Sequence, residues 1–484
     1  MKRSPARLLF PALRWDAERG YDGEAARIEE ALRRGVGGFS VFGGTAAAVA
    51  DLTYGIQSRS DVPLLFGSDL ERGAGQQFAG ATALPPLAAV GALADGAVTR
   101  RAGELTAREA MALGINWLYA PDADVDLEPR NPIIGTRAFG TDAHVVAEQV
   151  AAWIAGAHDG GANACVKHFP GHGRTTEDSH ATLPRVTATR AELELDLEPF
   201  RAAVRAGVDS VMTAHVVYPA LDPAETAATL SQPILQQLLR RELGFEGLIV
   251  TDALIMQGIL DAGGGDEAAA SIAAVRAGCD AILYPKDLAA VADAFDGAYR
   301  RDLPEARVAE AIERLEQAAR ARPPRWGFRA AAADRAWAHE IATRAVTRVR
   351  GRPACPPNLE LLTIDDDTGG PFPAPARDAF AASLVAEGIA FEPVTRAGGA
   401  DALLIALYAD IRAWKGKPGL SPGGAAALRS ALATRGDATV VLFGHPRLAG
   451  ELTAENVIAA WGGEAVMQEA AAAWLGRHAA RTHL

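Results

Sequence analysis

Cysteine is scarce, with three residues in 484, at Cys165, Cys279 and Cys355. An odd number without metal-like spacing excludes a disulfide framework and a cysteine-built zinc site, and a reduced compartment fits best. Long hydrophobic runs are missing as well: no apolar segment approaches the roughly 20 residues that span a bilayer. Positive charge is not in excess, since 48 Lys and Arg stand against 60 Asp and Glu for a net charge of −12, and the basic residues are scattered along helical stretches. Nucleic acid is therefore not an expected partner. The N-terminal apolar run is broken at Pro11 and followed by Arg14, Asp16 and Glu18 with no small-residue cleavage site, so it does not read as a signal peptide. A cytoplasmic protein without a membrane partner is expected.

What is present is ordinary globular material, 49% hydrophobic and 22% charged. Between residue 7 and about 290, eight short apolar runs recur, near 7–13, 36–42, 62–68, 115–120, 164–169, 208–214, 247–252 and 279–285. Segments such as Gly23–Arg34, Ala97–Leu113, Ala143–Ala157, Arg190–Ala206 and Glu267–Ala277 lie between them with apolar residues at helical spacing. Runs that read as buried on both faces are those of parallel strands. The expected fold class is α/β: an N-terminal (β/α)8 TIM-type barrel over residues 1–328, then a second, smaller open α/β domain over 336–484. The break is placed at RPPRWGFRAAAADR, where Pro323, Pro324 and Gly327 interrupt the helical pattern. Beyond it, Leu359–Ile364, Ala402–Tyr408, Thr439–Phe443 and Val457–Trp461 form a further set of strand-like runs.

Polar groups stand at the ends of the predicted barrel strands: Asp69, Asp122, Lys167 with His168, His215 and Asp252. In a parallel barrel those ends form one mouth, the usual active-site face. The densest stretch is Val166–Pro184, VKHFPGHGRTTEDSHATLP, which carries Lys167, His168, His172, Asp178 and His180. Lys167 and His168 at a strand end suit an oxygen-rich ligand. Asp178, two residues before His180, offers a carboxylate to orient an imidazole and raise its proton affinity. Gly171 and Gly173 are expected to let this loop move.

Each group has a plainer alternative. An isolated Asp in the place of Asp252 would cap the following helix, a lone Asp-x-His would be a surface turn, and Arg137 in NPIIGTRAFG would form a surface salt bridge. His168, His172, His180 and His215 with Asp178 also permit a zinc site, but Lys167 would compete with the ion, and no metal or cofactor is expected. Gly73 and Gly75 after Asp69 form no phosphate loop, lacking GK[ST] and GxGxxG. A carboxylate at that place suits sugar hydroxyls better than phosphate.

Taken together, KHFPGHG, DSH, IGTRAFG, SDLERGAG and GFEGLIVTDALIM resemble glycoside hydrolase family 3, in its β-N-acetylglucosaminidase branch. The resemblance implies a retaining exo-β-N-acetylglucosaminidase with Asp252 as nucleophile, the His180–Asp178 dyad as acid/base, and Asp69, Arg137, Lys167 and His168 binding the sugar. It implies a small carbohydrate substrate, a GlcNAc-containing glycoside or muropeptide from peptidoglycan recycling. One departure is Asp69-Leu70-Glu71-Arg72-Gly73, where many relatives read D-x-E-G-G. The alternatives are a phosphorylase on the same fold, a β-glucosidase or β-xylosidase, a metal-dependent hydrolase, and a non-catalytic sugar-binding protein.

Overall fold

The computed structural model describes residues 4–179, 182–254, 256–262, 265–367, 374–411, 415 and 418–479. The chain forms two compact units, the first from residues 1–83, 96–127 and 141–331, the second from 84–95, 128–140 and 332–484. The chain thus passes to the second unit between Ala331 and Ala332, and two segments of its N-terminal half, Leu84–Asp95 and Glu128–Gly140, also belong to that unit.

The first unit contains β1 (Leu9–Phe10), β2 (Ala12–Arg14), β3 (Gly38–Phe42), β4 (Leu65–Ser68), β5 (Trp117–Leu118), β6 (Asn163–Phe169), β7 (Ser210–Thr213), β8 (Leu248–Thr251) and β9 (Ile282–Leu283). Strands β2 to β8 form a parallel sheet in chain order. Strand β1 pairs in parallel with β9, and a parallel bridge joins Val250 of β8 to Ala281 just before β9. Because β1 and β2 are consecutive, interrupted only at Pro11, which has no N–H to give the ladder, the circuit closes. The eight apolar runs supply the eight strand positions of the expected (β/α)8 barrel.

Helices fill the crossovers as the spacing predicts, among them Ala25–Arg34, Ala143–Gly160, Leu193–Arg205 and Glu267–Ala277. Ala143–Gly160 starts where the Asp142 carboxylate accepts from the N–H groups of His144 and Val145 and stops at left-handed Gly161, φ 92°, a capped start and a glycine stop. It lies tightly on helix Gly96–Ala112. A Cβ on Gly103 would sit 2.3 Å from the Trp153 carbonyl oxygen, and one on Gly156 would sit 1.8 Å from that of Arg100.

The second unit holds β10 (Thr347–Arg350), β11 (Leu359–Asp365), β12 (Glu392–Val394), β13 (Ala402–Ala409), β14 (Thr439–Gly444) and β15 (Asn456–Ala459), in the order β10-β15-β14-β13-β11-β12. All pairs are parallel except β10 with β15. Along β13, Leu404, Ala406 and Tyr408 join one apolar cluster with Phe380 and Met467, while Leu403, Ile405 and Leu407 join another with Leu428 and Leu432. Burial on both faces explains why these strands read as unbroken apolar runs. The short edge strands β10 and β12 carry exposed polar residues and gave no such signal. Among the described residues no helix is long and apolar enough to cross a membrane.

The helix crossing yields a stability prediction. Gly156→Ala, which must displace backbone, is expected to cost about 1–3 kcal/mol. Gly55→Ala, in helix Ala46–Gln57 with nothing within 4 Å of the new Cβ, is expected to stabilise by about 0.5–1 kcal/mol. Urea unfolding of the two variants checks both signs.

Candidate active site

Since the barrel strands are parallel, their C-terminal ends lie on one face. Asp69 and Glu71 follow β4, Asp122 and Asp124 follow β5, Lys167 and His168 are among the last three residues of β6, His215 follows β7, Asp252 follows β8 and Tyr284 follows β9. The β5–β6 ladder continues into the mouth, with Asp122 bridged to Lys167 and the Ala123 N–H donating to the Lys167 carbonyl at 2.7 Å.

Lys167 is buried, 2% exposed, and its ammonium meets two carboxylates, Asp69 Oδ1 and Glu71 Oε1, each at 2.7 Å. A buried ammonium requires such partners, because desolvation without them costs several kcal/mol. The expected pair of Asp69 and Lys167 is therefore brought together. Glu71 completes it, and the sequence reading had not selected that residue, although the Asp-x-Glu spacing carried the signal.

His168 donates from Nδ1 to Asp124 Oδ2 at 2.8 Å, which fixes its tautomer with Nε2 as the acceptor of the neutral ring. Asp124 also accepts from the backbone N–H of His168 at 3.3 Å and of His172 at 2.5 Å. Asp124 was likewise missed; its signal was the DADVD stretch after the fourth apolar run. Asp122, Asp124 and His168 present ligand atoms within 4.8 Å of one another, the spacing of a metal site. Here Asp124 already serves three N–H donors, the work of an orienting carboxylate. The other histidines considered for a metal have different tasks: His172 bonds Thr175 Oγ1 at 2.8 Å and Ser179 Oγ at 3.0 Å, and His215 bonds Thr229 Oγ1 at 2.7 Å and the Ala253 carbonyl at 3.2 Å.

Asp252 is half-buried one residue beyond β8, and its Oδ1 accepts from the Ala253 N–H at 2.7 Å. The next helix starts only at Gln257, so Asp252 does not stand at its N-cap position. His215 reaches the Ala253 carbonyl and so holds the peptide that follows Ala253, one residue beyond Asp252. Tyr284 faces the same group: burial first, then the charges of Asp69, Tyr119 and Asp252, push its phenol far above the ordinary range. Its φ of +59° is uncommon for a residue with a side chain. Nothing in the sequence pattern singled it out beyond its place at the end of the eighth run.

Asp178 and Ser179 are buried, 6% and 2% exposed; His180 lies outside the described residues. At the root of their loop Gly171 and Gly173, expected to let it move, serve close packing. A Cβ on Gly171 would meet Asp196 Cβ at 2.8 Å, and one on Gly173 would meet the Val125 carbonyl at 1.7 Å. These glycines permit close approach. Tyr218 donates to the Gly171 carbonyl at 2.7 Å, and Arg174 Nε donates to Asp196 Oδ2 at 2.7 Å.

Arg137 is carried by the Glu128–Gly140 segment and belongs to the second unit. Its Nη1 donates to the Ile133 carbonyl at 3.2 Å, and the neighbouring Thr136 hydroxyl reaches Asp410 Oδ1 at 3.3 Å. Near Asp410, burial and that carboxylate raise Asp367 to about 6, against the pull of Lys415 and Arg377.

A model described as the glycosyl hydrolase family 3 N-terminal domain matches residues 30–318. A beta-hexosaminidase of Thiobacillus denitrificans is 38% identical over 270 residues, covering 54% of this chain and 74% of that protein. A beta-N-acetylglucosaminidase/beta-glucosidase of Cellulomonas fimi is 37% identical over 269 residues, 53% of this chain, which spans only 47% of that relative. The structure of a glycoside hydrolase family 3 beta-N-acetylglucosaminidase from Paenibacillus sp. str. FPU-7 has a TM-score of 0.87 at 28% identity, covering 99% and 97% of the two chains. A beta-glucoside phosphorylase reaches 0.85 at 20% identity, covering 99% and 92%, a likeness of fold alone.

The loop root carries a pH signature. Burial raises the Asp196 carboxyl from 3.8 to about 6, outweighing Arg174 and helped by the charge of Asp124. A carboxyl raised on folding contributes stability that is full below its unfolded value and lost as pH rises through its folded one. Against permanently neutral Asp196→Asn, the wild type is expected to lose about 2 kcal/mol between pH 4 and pH 7. Parallel thermal melts across that window measure the difference.

Proposed function

The chain belongs to glycosyl hydrolase family 3, and we propose that it is a retaining exo-β-N-acetylglucosaminidase. The observation that carries the reading is the strand-end group itself. A half-buried carboxylate, Asp252, shares the barrel mouth with the Lys167–Asp69–Glu71 and His168–Asp124 sets. Beta-hexosaminidase relatives such as that of Thiobacillus denitrificans support the choice of sugar.

In the first step an Asp252 oxygen attacks the anomeric carbon, the glycosidic C–O bond breaks, and the leaving oxygen takes a proton from His180. A covalent glycosyl ester results. In the second, His180 takes a proton from the incoming water, whose oxygen attacks the same carbon and returns Asp252 as the carboxylate. Two inversions give retention. Asp178 orients His180 and stabilises its protonated form, so the acid requires no second free carboxylate beside the nucleophile. Asp69, Lys167 and His168 bind the hydroxyls of the terminal sugar, for which paired charges supply donors and acceptors together. Small GlcNAc-containing glycosides and muropeptides from peptidoglycan turnover in the cytoplasm are the proposed substrates.

Phosphate in place of water is the second reading, because a histidine acid/base does not repel an anion as a glutamate would. Lys167 favours water, since its charge is already matched by two carboxylates.

Asp252→Ala is expected to abolish turnover. His180→Ala should slow aryl N-acetylglucosaminides with poor leaving groups by about 10²–10⁴-fold and spare activated ones; equal losses for both would remove His180 from the acid role. Of N-acetylglucosaminide, glucoside and xyloside assayed in phosphate buffer, the first is expected to be cleaved, with release of free N-acetylglucosamine. Appearance of the sugar 1-phosphate would reassign the enzyme as a phosphorylase.

A further inference from the structure

His172 is buried, 1% exposed, and the proposed reaction gives it no task. Its surroundings define its state. The Thr175 hydroxyl donates to the His172 carbonyl at 3.1 Å, so the same oxygen accepts from His172 Nδ1 at 2.8 Å. With the proton on Nδ1, Nε2 of the neutral ring is an acceptor, and the Ser179 hydroxyl donates to it at 3.0 Å. The backbone of His172 is held independently, its N–H donating to Asp124 Oδ1 at 2.5 Å. Thr175 and Asp124 are fully buried, and Ser179 is 2% exposed.

Ser179 stands between Asp178 and His180. We propose that His172 is the positioning residue of the acid/base segment: standing on Asp124, it takes the Ser179 hydroxyl and thereby holds the residue that joins Asp178 to His180 in the sequence. Asp124 also orients His168, so one carboxylate registers the residue assigned to the sugar and the segment assigned to the proton. A displacement of about 1 Å in such a segment is enough to cost a large part of a proton-transfer advantage. This rests on the reading of His180 as the acid/base, and it concerns positioning only; His172 touches no reacting atom.

The test is Ser179→Ala, which deletes one hydroxyl and keeps the fold, assayed beside His180→Ala on a phenyl and a dinitrophenyl β-N-acetylglucosaminide. Loss of one hydrogen bond is expected to lower kcat for the phenyl glycoside about three- to tenfold. The dinitrophenyl glycoside, which needs no acid, and KM for both substrates are expected to change by less than about twofold. The more severe His172→Ala should show the same bias where it folds. If His180→Ala shows the bias and Ser179→Ala shows equal losses or none, the positioning role is overturned and the acid/base reading stands. If His180→Ala shows no bias, that reading fails and the positioning role falls with it.

Discussion

A buried ammonium with two carboxylates holds the barrel mouth together. Lys167, 2% exposed, is placed by β6, and the Asp69 and Glu71 that match it are placed by the end of β4. Lys167 and Glu71, both buried, are not tolerable there alone, because an unpaired buried charge costs several kcal/mol. The pairing therefore fixes the ends of two strands that are not neighbours in the sheet. Carboxylate oxygens and ammonium protons end up in fixed places beside one another, which suits a neutral ligand rich in hydroxyls better than a free anion.

The opposite ends of the same strands carry charge clusters of another kind. Before β7, Asp209 holds His158 at 2.8 Å and Arg322 at 3.3 Å; before β9, fully buried Asp280 is gripped by Arg240, Arg307 and Arg314. These lie at the N-terminal face, where charge in a parallel barrel serves stability. As residue types they resemble the mouth groups. Strand direction alone separates a structural knot from a site.

The loop from Gly171 to Ser179 shows the same dependence on context. In a sequence its glycines suggest freedom, and in the fold they allow backbone to lie against Asp196 and Val125 closer than any Cβ would permit. A histidine–serine bond and an arginine–aspartate pair then close over them. The segment that carries the proposed proton donor is thus anchored at its root by packing, by hydrogen bonds and by one ion pair.

The order of the eight barrel strands and the central strands of the second unit were legible in the sequence, because strands buried on both faces must be apolar throughout and helices between them must repeat at their own period. So was the placing of Asp69, Lys167, His168 and Asp252 at strand ends. The edge strands β10 and β12 were not legible, since half-exposed residues need no apolar run. Nor were Glu71, Asp124 and Tyr284 as members of the site, or the presence of Arg137 on a segment of the second unit. Local periodicity is a property of neighbouring residues and survives in the sequence. Which carboxylate meets which cation is settled by burial and by Coulomb energy between groups 44 and 98 positions apart, as in His168 with Asp124 and Lys167 with Asp69, and only the closed barrel brings those groups within reach.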